Sequence, residues 1–148
     1  FLLTILGACA GSTGGGIKHI RLLVVLKYLR RNVYRLIHPQ AMIPLRVNRR
    51  PVSEEMVHNV LGFLVAYGLL FVLFTLILLT QGMDLISSSS AAATALSNVG
   101  PGFGSVGPTE TFANLTDLSK LVLCAGMILG RLEIFTILVM LVPAFWEL

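Results

Sequence analysis

The sequence predicts an all-α polytopic membrane protein in which a short helix and a glycine-rich loop lie between two long apolar helices. Three observations lead there. Hydrophobic residues make up 55% of the 148-residue chain and charged residues only 12%, whereas a soluble domain carries roughly a quarter charged residues. Residues 60–80 hold no charge at all, and at about 1.5 Å per residue that run matches a hydrocarbon core of roughly 30 Å. Between apolar segments, straight after the small-residue tract at 87–95, comes Ser97-Asn98-Val99-Gly100-Pro101-Gly102-Phe103-Gly104-Ser105-Val106-Gly107. Its glycines leave backbone carbonyls and amides unshielded, so the backbone itself can face an ion or a ligand.

The formal net charge is +4, and its distribution sets an orientation. Lys18, Arg21, Lys27, Arg30, Arg31, Arg35, Arg46, Arg49 and Arg50 lie in one connecting region, while only Lys120 and Arg131 fall elsewhere. Such a basic connection belongs on the cytoplasmic side of a membrane. It has few aromatics, Tyr28 and Tyr34, and is flanked by membrane segments, so nucleic-acid binding is not expected. Cys9 and Cys124 sit far apart in apolar surroundings with no CxxC motif, which indicates packed thiols and neither a metal site nor a disulfide. The chain opens on Phe1 with no basic segment before its first apolar stretch, so no signal peptide is expected. It reads as a sequence that begins inside a longer protein.

In order, residues 1–10 are apolar but about half the length needed to span, and they run into Gly11-Ser12-Thr13-Gly14-Gly15-Gly16-Ile17-Lys18. Consecutive glycines break a helix, each costing roughly 1 kcal/mol against alanine, and irregular backbone at membrane depth is tolerated only where it lines a cavity or is buried in protein. Residues 1–35 are therefore predicted to form a broken transmembrane helix, with an intramembrane loop at 11–18 and a basic amphipathic extension into the cytoplasm. His38-Pro39 ends that helix, and residues 36–53 form a cytoplasmic linker. Ser53 followed by Glu54 and Glu55 starts the next helix, a transmembrane element over 54–82 on which Gly62, Ala66 and Gly68 offer close packing.

Asp84 is placed to cap a helix over 84–97 that is too short to cross, so a re-entrant geometry is predicted, with its small residues packed inside a ring of other helices. Its partially negative C-terminal end, near Ser97, favours a cation. The glycine-rich run at 98–107 is then a pore loop, with Gly102 to Gly107 read as a flexible exit, and residues 108–117 return to the outer face. Thr116 or Asp117 caps a last helix over 118–148, kinked by Pro143, with Trp146 at the interface. Arg131 and Glu133 fall in mid-membrane, where a charge costs at least about 2.5 kcal/mol and is usually functional.

Two nucleotide motifs fail on their details. Residues 11–18 put Ile17 where a phosphate-binding GxxxxGK[ST] loop needs lysine. Residues 102–107 are a literal GxGxxG, but they follow a Ser/Ala tract instead of a strand and are closed by Pro108. No enzyme is expected.

The order helix, re-entrant helix, glycine-bearing loop, helix is that of potassium channels, and several local motifs resemble one family closely. Cys9-Ala10-Gly11-Ser12-Thr13-Gly14-Gly15-Gly16-Ile17-Lys18, Leu36-Ile37-His38-Pro39, Asn98-Val99-Gly100-Pro101-Gly102 and Gly130-Arg131-Leu132-Glu133-Ile134-Phe135-Thr136 together resemble the membrane subunits of Trk-type potassium uptake systems, in the Trk/Ktr/HKT superfamily. The resemblance implies potassium-channel-like helix, pore-loop, helix repeats around one pore, with this chain holding the last helix of repeat three and all of repeat four.

It further implies that Asn98, Val99, Gly100 and Pro101 contribute one wall of a selectivity filter, with K+ held by backbone carbonyls of Asn98, Val99 and Gly100. Gly11, Ser12, Thr13, Gly14, Gly15, Gly16 and Lys18 correspond to a gating loop, and Arg131 to an arginine that approaches it. No bound cofactor is implied; potassium is the transported ion, with sodium or protons as candidate coupled ions. Membrane lipid, a second copy in a homodimer and a cytosolic nucleotide-binding regulatory subunit are the implied partners, in a multi-pass protein of the bacterial plasma (inner) membrane. Because the loop reads NVGPG and not TVGYG, looser discrimination of potassium from sodium is expected. The alternative from the residues alone is a secondary transporter that binds a small organic anion at the half-helix ends of the broken segment.

Overall fold

The computed structural model describes residues 15–38, 46–47 and 50–132. The first half of the broken helix, Cys9, Gly11, Ser12, Thr13 and Gly14, and the chain from Glu133 on with Pro143 and Trp146, lie outside the described residues. The described residues form four α-helices: α1 (His19–Ile37), α2 (Glu54–Thr80), α3 (Leu85–Ser97) and α4 (Asp117–Arg131). Short 3-10 turns at Gly104–Val106 and Phe112–Asn114 shape the connection from α3 to α4. A minimal hairpin, β1 (Arg46–Val47) against β2 (Arg50–Pro51), pairs Arg46 with Pro51 and Val47 with Arg50 in the linker between α1 and α2. Two-residue strands carry no periodicity, so the all-α reading had no signal for them.

Local chemistry fixes each boundary. The Ser53 hydroxyl accepts the Met56 N–H (3.3 Å) and Glu54 and Glu55 fill the first turn of α2, where acids suit the positive end of the helix. α2 has 27 residues and so extends about 40 Å; among the described residues it is the one helix long and apolar enough to cross a membrane. It stops at Gln81, after which Gly82 adopts φ +88°, a conformation open to glycine at little cost. Asp84 caps α3 by accepting the Ser87 N–H (3.3 Å), and the Thr116 hydroxyl does the same for Ser119 (3.3 Å) at the start of α4.

The core forms where α2 and α4 close over α3. Ten of the 13 residues of α3 are buried, which is feasible only because nearly all are serine, alanine or threonine. Phe63, Tyr67, Phe74 and Leu78 of α2 and Leu123 of α4 supply the bulk around it. Close approach of α4 depends on Gly126, where a Cβ would lie 2.9 Å from the Phe74 ring. On the other side α1 leans on α2 through Val24 and Val57, with the Arg21 guanidinium 3.9 Å over the Phe63 ring. Arg31 donates from Nη2 to Glu54 Oε1 at 2.9 Å, a pair whose glutamate is 69% exposed and whose worth is therefore about 0–1 kcal/mol.

Two sequence expectations need correction. Among the described residues Gly62 and Gly68 do not serve close packing: both are exposed, and a Cβ on Gly68 would meet nothing within 4 Å. The glycines that let helices touch are on α4 instead. Cys124, expected to be packed, is exposed, because the buried face of α4 is formed by Ser119, Leu123 and Gly126.

Candidate functional site: the carbonyl end of the short helix

α3 ends in a Schellman motif. Asn98 takes the left-handed conformation, φ 54° and ψ 41°, while its N–H bonds Ala95 O (3.2 Å) and the Val99 N–H bonds Thr94 O (3.1 Å). Asparagine is the side-chain-bearing residue that most readily enters this region. The amides at 98 and 99 are thereby turned back onto α3. Gly100 has φ +111°, whereas Val99 and Pro101 do not have positive φ. Among the described residues the carbonyls of Asn98, Val99, Gly100 and Pro101 accept no hydrogen bond, and all four residues are exposed.

Three elements converge behind this end. From α2, the buried Tyr67 hydroxyl meets the Ser97 hydroxyl at 3.0 Å. From α4, the Met127 carbonyl accepts the Asn98 side-chain N–H at 3.1 Å, and Gly130 lies so close that a Cβ there would run into the Leu96 carbonyl oxygen. From the segment before α1, Gly15 is buried with its Cβ position 2.9 Å from Asn98 Nδ2 and 3.0 Å from Ser97 O. Gly16 turns with φ +79°, and Lys18 becomes the N-terminal cap of α1. The part of the 11–18 loop that is described thus lies against the end of α3.

Arg131 is the last residue of α4, capped by Leu132 through its N–H to Ile128 O, and follows directly on Gly130. A cation in the last helical turn also complements the negative end of the helix.

Beyond Gly100 the loop is built, and the expectation of a flexible exit is corrected. Gly102 N–H bonds Val106 O (2.8 Å), Phe103 N–H bonds Ser90 Oγ (3.0 Å), Ser105 N–H bonds Ser87 Oγ (3.0 Å), and Val106 is fully buried. At the opposite end of α3, the Ser87 hydroxyl first and then nearby backbone N–H groups hold the Asp84 carboxyl below the usual carboxylate range. Among the described residues no group of His, Cys, Asp or Glu is placed to hold a metal ion. The roles that sequence reasoning passed over are those of the Tyr67, Ser87 and Ser90 hydroxyls and the close approach at Gly130, a residue that entered only as part of a family motif. Only Gly130 carried a signal, as a glycine inside an otherwise helical run.

A long apolar helix, a buried short helix and a backbone-lined loop are the features expected of a membrane transport protein. The chain belongs to the TrkH family: the family described as "Cation transport protein" matches residues 1–148. It is 44% identical over 142 residues to the Trk system potassium uptake protein TrkH of Vibrio parahaemolyticus, covering 96% of this chain and 29% of that protein. It is 42% identical over 148 residues to the Trk system potassium uptake protein TrkI of Halomonas elongata, covering 99% of this chain and 30% of that one. The crystal structure of the potassium transporter TrkH from Vibrio parahaemolyticus superposes with a TM-score of 0.86 at 42% identity, over 98% of this chain and 31% of that structure. The chain therefore spans about 30% of the length of the relatives it matches.

Proposed function

We propose that this chain forms part of a potassium uptake protein of the bacterial inner membrane, and that Asn98, Val99, Gly100 and Pro101 line one wall of its ion path. The observation that carries the reading is the row of unpaired carbonyls at the negative end of a buried helix. Carbonyl dipoles replace the water around a dehydrated cation, and a row of weak sites lets it leave again. The helix end adds a favourable potential for positive charge. The organic-anion alternative fits less well, since the Asn98 and Val99 amides are bonded back to α3 and Pro101 has no N–H, which leaves few donors for an anion at this loop.

In this reading the loop at 11–18 acts as a gate below the carbonyls, which the packing of Gly15 against Ser97 and Asn98 supports. A second copy of the protein and a cytosolic nucleotide-binding subunit complete the system, with the basic α1 on the cytoplasmic side.

The direct test is Gly100→Ser. A side chain at φ +111° is strained whatever space surrounds it, so the carbonyls on either side must reorient. Rubidium uptake relative to sodium uptake is expected to fall; an unchanged ratio would sink the filter assignment. Arg131→Ala tests the second element. Removing a cation from beside the path should raise flux, whereas reduced flux at normal membrane levels would assign the arginine to packing.

A further inference from the structure

The GxGxxG run at 102–107 is neither a nucleotide fingerprint nor a slack exit, and its contacts give it another role. Ser87 and Ser90 lie three apart on α3, hence on one face of the helix. Both are buried, at 0% and 1% exposure. Ser87 Oγ accepts the Ser105 N–H at 3.0 Å. Ser90 Oγ accepts the Phe103 N–H at 3.0 Å and lies 3.1 Å from the Phe103 and Ser87 carbonyls, so its own proton also has an acceptor. Gly102 and Gly104, the residues just before these two amides, make the approach feasible. A Cβ on Gly104 would strike Ser87 Oγ, and one on Gly102 would lie 3.1 Å from Ser90 Oγ.

We infer that Ser87 and Ser90 are positioning residues for ion selection: their hydroxyls clamp the outer limb of the loop to α3 and thereby fix the spacing of the carbonyls at 98–101. The inference rests on the filter assignment above. Its logic is mechanical. The loop is anchored at its inner end by the cap on Asn98 and at its outer end by the two serines, with Val99 to Pro101 suspended between. The threonine and tyrosine that stiffen a TVGYG filter are absent here, and rigidity is supplied from the helix behind. Loss of one clamp frees an amide to move and lets the carbonyl cage adapt to a smaller ion.

The test uses the complete transporter containing this chain, expressed in cells lacking other potassium uptake, with rubidium and sodium uptake measured beside membrane protein level. Ser87→Ala and Ser90→Ala are each expected to lower the rubidium-to-sodium ratio roughly fivefold, the equivalent of one net hydrogen bond, with protein still in the membrane. Ser90→Thr, which keeps the hydroxyl, should restore most of the ratio. Ser88→Ala is the matched control: Ser88 is fully buried on the same helix, yet its hydroxyl has no partner among the described residues, so the ratio should stay parental. If an alanine variant fails to accumulate, Ser→Cys at the same position keeps the shape with a weak acceptor and carries the same expectation.

The clamp is refuted if Gly100→Ser loses selectivity while Ser87→Ala and Ser90→Ala keep it, an outcome that leaves the filter assignment standing. It is refuted as well if uptake of both ions falls only in step with protein level, or if Ser88→Ala is as damaging as Ser90→Ala. Unchanged ratios in Gly100→Ser and in the serine variants alike would overturn the filter assignment itself.

Discussion

Replacing Gly130 by alanine is expected to abolish most ion uptake and to lower the thermal stability of the protein. The added Cβ falls on the carbonyl oxygen of Leu96, with the Leu96 carbonyl carbon at 2.7 Å and Asn98 Nδ2 at 3.0 Å. A flexible side chain could rotate away; a backbone carbonyl in the buried C-terminal half of α3 cannot. α3 has no free direction in which to retreat, because Gly15 already lies against the Leu96 and Ser97 carbonyls and Tyr67 holds Ser97 from α2. Overpacking of this kind costs about 1–3 kcal/mol or more, and relief requires α4 to move from the Asn98 side chain it binds. Gly68→Ala is the contrasting substitution. It meets nothing within 4 Å, and its expected effect is neutral or slightly stabilising, since alanine is favoured in a helix by up to about 1 kcal/mol. Melting in detergent and rubidium uptake of both variants decide the matter: parental behaviour of Gly130→Ala would mean that α4 does not pack against α3 in this way.

That contrast shows what the sequence could and could not disclose. The elements were legible because each is written in contiguous residues. Asp84 before a Ser/Ala tract that ends at Asn98 marks a short capped helix, and Ser53 with two acids marks the start of a long one. The basic cluster and the motifs around Gly16, Gly100 and Arg131 pointed to the family before any packing was known. Which face of a helix meets which neighbour is not contiguous information. Gly62 and Gly68 looked like contact glycines by composition, but the contacts belong to Gly126 and Gly130, and only the crossing of α4 over α3 decides between them. Ser87 and Ser90 read as merely small. Their hydroxyls bond backbone 18 and 13 residues away, a separation at which residue type says nothing about partners. The hairpin at Arg46–Val47 and Arg50–Pro51 is too short to leave a pattern.

A series at Asn98 should separate the two ways in which one residue holds the inner end of the loop. Its backbone is left-handed, φ 54°, and its side chain donates to Met127 O at 3.1 Å. Asn98→Gly keeps the first and removes the second, so the expected loss is that of one net hydrogen bond, about 1 kcal/mol. Asn98→Ala loses the bond and adds the left-handed penalty of roughly 1–2 kcal/mol. Asn98→Val is worse again, because a branched Cβ in this region is a genuine outlier and the end of α3 must unwind to avoid it. Stability is thus expected to fall in the order Asn, Gly, Ala, Val. Selectivity need not follow that order, and the comparison is informative for that reason. If the bond to α4 sets the carbonyl positions, Gly will lose the rubidium preference nearly as fully as Val. Should the left-handed turn set them, Gly will stay close to the parent while Ala and Val fail. An Asn98→Val protein as stable and selective as the parent would show that neither contact fixes the loop, and that the carbonyls at 98–101 are held from their outer end alone.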